Sequence, residues 1–217
     1  RIEDQDLYRF IKEAAANVGG TFVEIHEGRT PWQVFFDERY LGNSRVDPCS
    51  KILKRQLLDR WLKEYTTTCG ETLVAYGFDW SEGHRMQRML CHDAPWQRWA
   101  PLLEPPYLSK AEILAMLKAE GLAPPRLYAL GFQHNNCGGA CVKAGQAAWA
   151  HLLRIFPQRY AEWEANEEAF RAYIGKDVSI LKDRTGGRRT PLTLLAFRKR
   201  LEGGIQADLM DWGSCGC

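Results

Sequence analysis

Apolar residues recur at helical spacing near the start of the chain, over residues 7–14, and a glycine pair at 19–20 then interrupts the pattern. This predicts a helix that ends at the glycine pair. The β-branched and aromatic run 21–25 predicts a short strand directly after it. A polar residue followed by proline at 30–31 (Thr-Pro) and at 47–48 (Asp-Pro) predicts two further helices with those polar residues as N-caps.

The rest of the chain alternates strand and helix signals and then becomes mainly helical. The sequence predicts a strand at 71–78, a helix from about residue 81, a helix from 109 to 121 that opens with a capping box, helices at 140–155 and 157–173, a strand at 178–181, and a last helix from Thr190-Pro191. Strands that alternate with helices predict an α/β core carrying a helical C-terminal region.

The composition is that of an ordinary globular protein, with 217 residues of which 45% are hydrophobic and 26% charged. A formal net charge of +2 gives no global preference for nucleic acid. No apolar run approaches the ~20 residues that cross a bilayer, and the first residues lack the apolar core of a signal peptide. We therefore expect a soluble, cytoplasmic protein without membrane contact. The first residue is not Met and already leads into a helix, so we expect a fragment of a longer product.

Seven cysteines without a secretory signal fit thiols, metal ligands or catalytic sulfur better than a disulfide framework. Cys137 and Cys141 lie in the loop GFQHNNCGGAC, where two glycines between them permit the sharp turn that brings two thiolates to one centre. Taken alone, this C-x3-C spacing is as typical of two loop thiols as of a metal site. Cys49 follows Asp47-Pro48 at a predicted helix start, where the helix dipole and nearby basic residues favour a thiolate. A thiol that only packs is the alternative.

The remaining cysteines differ in their surroundings. Cys215 and Cys217 form a glycine-flanked C-x-C, which could close over a cluster or carry a persulfide, or be part of a frayed tail. For Cys69 and Cys91 we expect packing. His134 is either a ligand or a hydrogen-bonding loop residue. Three or four dispersed cysteines without paired C-x2-C knuckles indicate an iron–sulfur cluster rather than a structural zinc site.

Two charged segments are candidate anion sites. Glu82, Arg85 and Arg88 follow the second predicted strand, where open α/β sheets bind ligands, and could meet a phosphate or sulfate. A solvated helix face with a Glu82–Arg85 pair is the alternative. The basic, glycine-containing stretch 182–189, KDRTGGRR, could cradle phosphate or nucleic acid, or be an exposed connector.

Three segments in order, VDPCSKILKRQLLDRWL, AYGFDWSEGHRMQRM and GFQHNNCGGACVKAGQ, resemble the phosphoadenosine phosphosulfate reductase-like branch of the PP-loop ATP pyrophosphatase superfamily, also called adenine nucleotide alpha hydrolase-like. The resemblance covers nearly the whole chain. It implies a Rossmann-like parallel sheet that binds an adenine nucleotide. The Ser-Gly-Gly-x-x-Ser phosphate loop of that superfamily is not in the sequence, so we expect the sheet to be N-terminally incomplete.

The resemblance also implies a division of the chain and a set of site residues. Residues 1–131 would form the partial Rossmann-like nucleotide-binding region, and 132–217 a cysteine-containing, mainly helical region packed on it. A [4Fe-4S] cluster would be held by cysteine ligands, namely Cys49, Cys137, Cys141 and, as a fourth ligand that closes the cluster, Cys215. Relatives that thiolate nucleic acids commonly use three cysteines and leave one iron open for sulfide. Cys217 would be the catalytic sulfur relay, and ATP or another adenine nucleotide would be lined by Glu82, Arg85 and Arg88.

The expected activity is therefore iron–sulfur-dependent sulfur-transfer or sulfonucleotide-type chemistry on an adenylated, nucleotide or nucleic-acid substrate, by an oxidoreductase or a sulfurtransferase. The alternative is a noncatalytic, metal-stabilised subunit that binds nucleic acid or a separate ATPase chain. A third reading is an ordinary α/β domain whose thiols are free. The expected partners are an adenine nucleotide or a sulfur-accepting nucleic acid, and a homodimer or a complex with another chain is compatible with the sequence.

Overall fold

The computed structural model describes residues 2–43, 46–208 and 210–213. Within them the chain is mixed α/β and mainly helical. The α-helices are α1 Gln5–Val18, α2 Pro31–Glu38, α3 Pro48–Ser50, α4 Gln56–Cys69, α5 Gly83–Leu90, α6 Lys110–Ala119, α7 Arg126–Ala129, α8 Gln146–Ile155, α9 Pro157–Ile174 and α10 Leu194–Glu202. The strands are β1 Leu73–Ala75, β2 Gln97–Trp99, β3 Leu181–Asp183 and β4 Thr190–Leu192. No helix of the described part has both the length and the apolar character needed to cross a membrane.

The chain divides into two compact units. Unit 1 contains residues 1–55 and 125–217, and unit 2 contains residues 56–124. The boundary predicted after residue 131 lies inside unit 1, and the nucleotide-binding role of residues 1–131 stays a prediction. In unit 2, β1 and β2 form a parallel pair in which Leu73 lies opposite Gln97. This pair is the one element of the predicted parallel sheet found among the described residues, and the second sheet, β3–β4 in unit 1, is antiparallel.

Several predicted helix boundaries are confirmed because local capping sets them. Helix α1 ends before Gly19, and Thr30 and Ser109 open α2 and α6 with capping boxes in which side chain and backbone hydrogen-bond reciprocally. The helix at Pro48 also begins where predicted. Its N-cap residue Asp47, however, makes no side-chain cap, since its carboxylate is engaged elsewhere.

Four predicted elements are wrong or displaced, among them the strand predicted at 178–181, which forms at Leu181–Asp183 (β3). The run 21–25 forms no strand, since no described strand pairs with it and a β-ladder needs a hydrogen-bonding partner. The helix predicted from residue 140 begins only at Gln146, after the turn that carries the cysteines. Thr190-Pro191 belongs to β4, where Pro191 lies opposite Lys182, and α10 instead starts behind Thr193, whose side chain accepts from Ala196 N–H.

The core of unit 1 is aromatic. Trp149 of α8 packs edge-on against Tyr160 and Trp163 of α9, with ring centroids 5.8 and 5.7 Å apart. Trp163 also contacts Trp32 of α2 at 5.2 Å. These large, buried rings join α2, α8 and α9 into the frame on which the cysteine segments lie.

A buried carboxylate fastens the β3–β4 hairpin to this frame. Glu167 of α9 is fully buried and accepts hydrogen bonds from the backbone N–H groups of Ile180 and Leu194, each 2.6 Å long. Tyr160 donates to the carbonyl of Leu194 at 2.8 Å. Burial raises the pKa of Glu167 to about 7, although the two backbone donors oppose the shift. The hairpin and the start of α10 are therefore held by buried hydrogen bonds.

Candidate cysteine site

A cavity of about 520 Å³ in unit 1 has three of the predicted cysteines in its wall. Cys49 comes from α3, while Cys137 and Cys141 come from the loop that precedes α8. Cys141 is buried, and the other two are partly buried. The structure thus brings together residues that lie far apart in the sequence.

The backbone at Cys137 has an uncommon conformation. Residues 136–139 form a 3-10 turn in which Cys137, Gly138 and Gly139 have φ angles of 51°, 59° and 91°. Left-handed backbone is costly for a residue with a Cβ, and such strain is often found at functional sites. A Cβ on Gly139 would lie 2.6 Å from the ring of Phe132, so glycine is required there by space as well as by φ. The predicted sharp turn between the two cysteines is therefore confirmed.

Charged residues from the N-terminal segment and α9 hold this turn in place. The N–H of Gly138 donates to the carboxylate of Glu3 at 3.2 Å, and its carbonyl accepts from the guanidinium of Arg159. Arg159 lies 3.6 Å from the buried carboxylate of Asp4. Asp4 receives two further hydrogen bonds from Arg126, at 2.7 and 2.8 Å. These bonds from Arg126 lower the pKa of Asp4 although burial opposes the shift, so the carboxylate is ionised at neutral pH.

An ion pair connects the segments that carry Cys49 and Cys141. Asp47 is buried next to the start of α3 and pairs with Lys143 at 3.4 Å and with Arg55 at 2.9 Å. Lys143 lies two residues after Cys141 and itself lines the cavity. The regular part of α3 is only three residues long and continues into a π-helical turn at Lys51–Arg55. The Asp47–Lys143 ion pair therefore links the segment of Cys49 to the segment of Cys141.

The donor types fit an iron–sulfur cluster, since such clusters are held by cysteine thiolates and three cysteines share one cavity. Within residues 2–43, 46–208 and 210–213, however, no group of three or more His, Cys, Asp or Glu side chains is arranged so that it could hold a metal ion. The three cysteines thus share a cavity without forming a finished coordination shell. Cys215 and Cys217, predicted as fourth ligand and sulfur relay, lie outside the described residues.

One wall of the cavity was not foreseen from the sequence. The irregular segment 24–30 lies along it and contributes Glu24, His26, Glu27 and Arg29. Arg29 pairs with Glu27 at 2.6 Å and with Asp37 of α2 at 2.7 Å, which ties this wall to the core helix. The available signal was the charged run EIHEGR ahead of Thr30, of which only the first two residues fall within the strand predicted at 21–25.

The residues predicted to line a nucleotide belong to unit 2, whereas the three cysteines of the cavity belong to unit 1. Glu82 and Arg85 form an ion pair with each other, and the Arg85 guanidinium also lies over the ring of Phe78, 4.5 Å from its centroid. Arg88 is exposed on α5. The helix-face ion pair that the sequence offered as an alternative is therefore present, and phosphate binding by these residues stays a prediction.

The last described residues attach next to the cysteine loop. Gly213 forms an antiparallel bridge with Ala144, and Ala147 donates its N–H to the carbonyl of Asp211 at 2.9 Å. Cys69 and Cys91 are exposed, at the end of α4 and after α5, and the Cys91 thiol donates to the carbonyl of Gln87. Neither residue lines the cavity of unit 1.

Comparison of the chain with protein-family models, with curated proteins and with solved structures finds no match.

Proposed function

We propose that this protein holds an iron–sulfur cluster through Cys49, Cys137 and Cys141 and serves sulfur-transfer or sulfonucleotide-type chemistry on a nucleotide or nucleic-acid substrate. The observation that carries the proposal is the convergence of these three cysteines, from two distant parts of the sequence, on one cavity. Soft thiolate ligands of this kind select iron–sulfur clusters, zinc or copper(I). The missing paired knuckles and the resemblance described above favour the cluster.

The strained turn supports a functional role for Cys137. Its left-handed φ of 51° costs free energy that a glycine would avoid, yet the chain places a cysteine there and stabilises the neighbouring peptide with Glu3 and Arg159.

The chain's own residues would orient the substrate. Lys54 and Lys143 lie in the wall of the cavity beside the cysteines, together with the acidic residues Glu3, Glu24 and Glu27. The apolar part of the wall, which includes Ile25 and Leu53, limits the access of water. When bound, a cluster would supply electrons or a site for inorganic sulfide.

The alternative function, a noncatalytic metal-stabilised subunit that binds nucleic acid or a separate ATPase chain, is favoured by one observation. Arg85, the central residue of the predicted nucleotide site, is already engaged by Glu82 and by the ring of Phe78. If the alternative holds, chelation of the metal lowers the melting temperature while ATP leaves it unchanged. If the protein uses the nucleotide directly, ATP raises the melting temperature, because a ligand that binds the folded state stabilises it.

Anaerobic purification tests the cluster. We expect a brown protein with iron and acid-labile sulfide, and a Cys137→Ser variant that loses most of both. The matched control is Cys91→Ser, which removes an exposed thiol that does not line the cavity and should keep the full iron content. A wild-type protein without iron, or equal iron in both variants, contradicts the proposal.

A further inference from the structure

A second feature of unit 1, the tip of the β3–β4 hairpin, is strongly basic. Its residues 184–191, RTGGRRTP, contain three arginines and no acidic residue, and Arg184, Arg188 and Arg189 are all exposed. No described residue pairs with the side chain of Arg188 or Arg189. These two exposed guanidinium groups, which have no partner among the described residues, are therefore available to a ligand from outside the chain.

The acidic residues nearest in sequence to this tip are already neutralised. Asp183 pairs with Arg200 of α10 at 2.7 Å and accepts from the N–H of Thr185 at 2.9 Å. Asp177 pairs with Arg171 at 2.9 Å, and Glu202 at the end of α10 pairs with Arg198 at 2.8 Å. The positive charge of Arg188 and Arg189 is thus not cancelled by these neighbouring carboxylates.

The hairpin presents these charges from a rigid base. Besides the bonds to Glu167, the hydroxyl of Ser179 accepts from Leu192 N–H at 2.9 Å and donates to the carbonyl of Leu181. Gln146, five residues beyond Cys141, donates to the carbonyl of Lys182 at 3.0 Å. The tip is therefore held in the same unit as the cysteine cavity by buried or partly buried hydrogen bonds.

The chemistry of the tip fits a sugar-phosphate backbone better than a protein surface. Between Tyr173 and Ile205 no large hydrophobic side chain is exposed, whereas the centre of a protein interface is usually built on aromatic or aliphatic anchors. A Cβ at Gly187, whose φ is 75°, would meet no atom within 4 Å, so a ligand can approach the peptide backbone closely there. Arginine forks on a glycine-containing turn are suited to phosphate groups.

We propose that the β3–β4 tip is a docking surface for nucleic acid, with Arg188 and Arg189 contacting backbone phosphates. As a proposal about the substrate, it rests on the proposed function and specifies nucleic acid as the substrate class. The docking itself needs no cluster, because the tip is held by hydrogen bonds that do not involve the cysteines.

The test is fluorescence anisotropy with a labelled single-stranded RNA of about 20 nucleotides, and with a DNA of the same sequence, from 50 to 200 mM salt. We expect the Arg188→Ala/Arg189→Ala variant to bind about tenfold more weakly at low salt and to lower the salt slope by about 1.4, the contribution of two phosphate contacts on a single strand. Arg60→Ala/Lys63→Ala, on the exposed surface of α4, is the charge-matched control and should bind as the wild type does.

Circular dichroism and thermal melting of all proteins establish that the variants are folded, and Arg188→Gln/Arg189→Gln is the second pair should the alanines disturb the hairpin. Absence of RNA and DNA binding at 50 mM salt, or equal loss in the control, overturns the proposal. Competition by poly-glutamate as effective as by RNA also overturns it, in favour of an acidic protein partner. Because the docking needs no cluster, a positive result here together with a colourless native protein would reject the proposed function alone.

Discussion

Two buried acidic side chains in unit 1 each hold a neighbouring segment in place by hydrogen bonds or ion pairs, but their pKa values are shifted in opposite directions. Asp4 supports the cysteine turn and is neutralised by Arg126 and Arg159, so its pKa lies below the usual value. Glu167 supports the basic hairpin, receives only backbone N–H groups, and its pKa is raised to about 7. In this protein the acid that is bonded to arginines has a lowered pKa, whereas the two backbone donors to Glu167 do not offset the effect of burial on its pKa.

The largest effect on stability is expected from removing Glu167, the buried acid whose hydrogen bonds come only from backbone N–H groups. Glu167→Ala leaves two buried backbone N–H groups without acceptors and should lower the free energy of unfolding by about 4 kcal/mol. Urea denaturation measures this. The control is Glu168→Ala, which removes an exposed carboxylate from the same helix turn and should change stability by less than about 0.5 kcal/mol. Equal effects at 167 and 168 would mean that the two buried bonds do not matter.

The next effect is a dependence of stability on pH. Since the pKa of Glu167 is higher in the folded than in the unfolded chain, folding takes up a proton between about pH 4.5 and 7. Its contribution to stability is fully present below about pH 4.5 and is lost as pH rises through 7, by an amount on the order of 3 kcal/mol. Asp4 has the opposite sign, and its contribution is lost only as pH falls below its usual pKa of 3.8.

The measurement for this prediction is the difference in unfolding free energy between wild type and Glu167→Gln, taken at intervals from pH 4.5 to 8. The unfolding free energy of the wild type should fall relative to that of Glu167→Gln as pH rises, and the difference should level off above about pH 7.5. A difference that stays constant over this range would show that Glu167 does not titrate there. Charged neighbours on α9, Glu168 and Arg171, are present in both proteins and cancel in the difference.

A smaller loss of stability is expected from changing Asp4, the buried acid that is paired with arginines. Asp4→Asn weakens the hydrogen bonds from Arg126, which is itself about half exposed, and should cost about 2 kcal/mol. It should also speed the alkylation of Cys137, because Arg159 loses the carboxylate that holds it against Gly138. Asp59→Asn on α4 serves as the control. An unchanged alkylation rate in Asp4→Asn would show that the ion pair between Asp4 and Arg159 does not stabilise the cysteine turn.

The smallest effect concerns the strained residue itself. At Cys137, with φ of 51°, glycine should be more stable than alanine by about 1 kcal/mol. At Cys91, with φ of −73°, alanine should be equal or better. Thermal melting of the four variants without metal measures both differences. The same order at both positions would argue against backbone strain at Cys137.

Much of the local structure could be predicted because it is encoded by neighbouring residues. Thr30 and Ser109 carry their capping partners three residues away, and the glycines after Cys137 permit the left-handed turn whatever lies around it. The shared ligand role of Cys49, Cys137 and Cys141 was expected from the resemblance alone and stays a prediction, although the three residues line one cavity. These features need little knowledge of the tertiary fold.

The rest depends on contacts between distant residues, which no local pattern reveals. The sequence around Asp4 indicates only an ordinary helix N-cap, and its partner Arg126 is more than a hundred residues away. Glu167 lies in a helix rich in other glutamates, so nothing in the sequence marks it as buried. The strand predicted at 21–25 failed for the same reason, because a strand exists only if another strand pairs with it.

The most direct test of the central claim is the iron content of two serine variants purified without oxygen. Cys49→Ser removes the cysteine that reaches the cavity from the distant α3 segment, and Cys69→Ser removes an exposed cysteine in unit 2. The account predicts that Cys69→Ser keeps the iron and sulfide of the wild type while Cys49→Ser loses most of both. Wild-type iron content in Cys49→Ser would contradict the convergence of the three cysteines on one cluster.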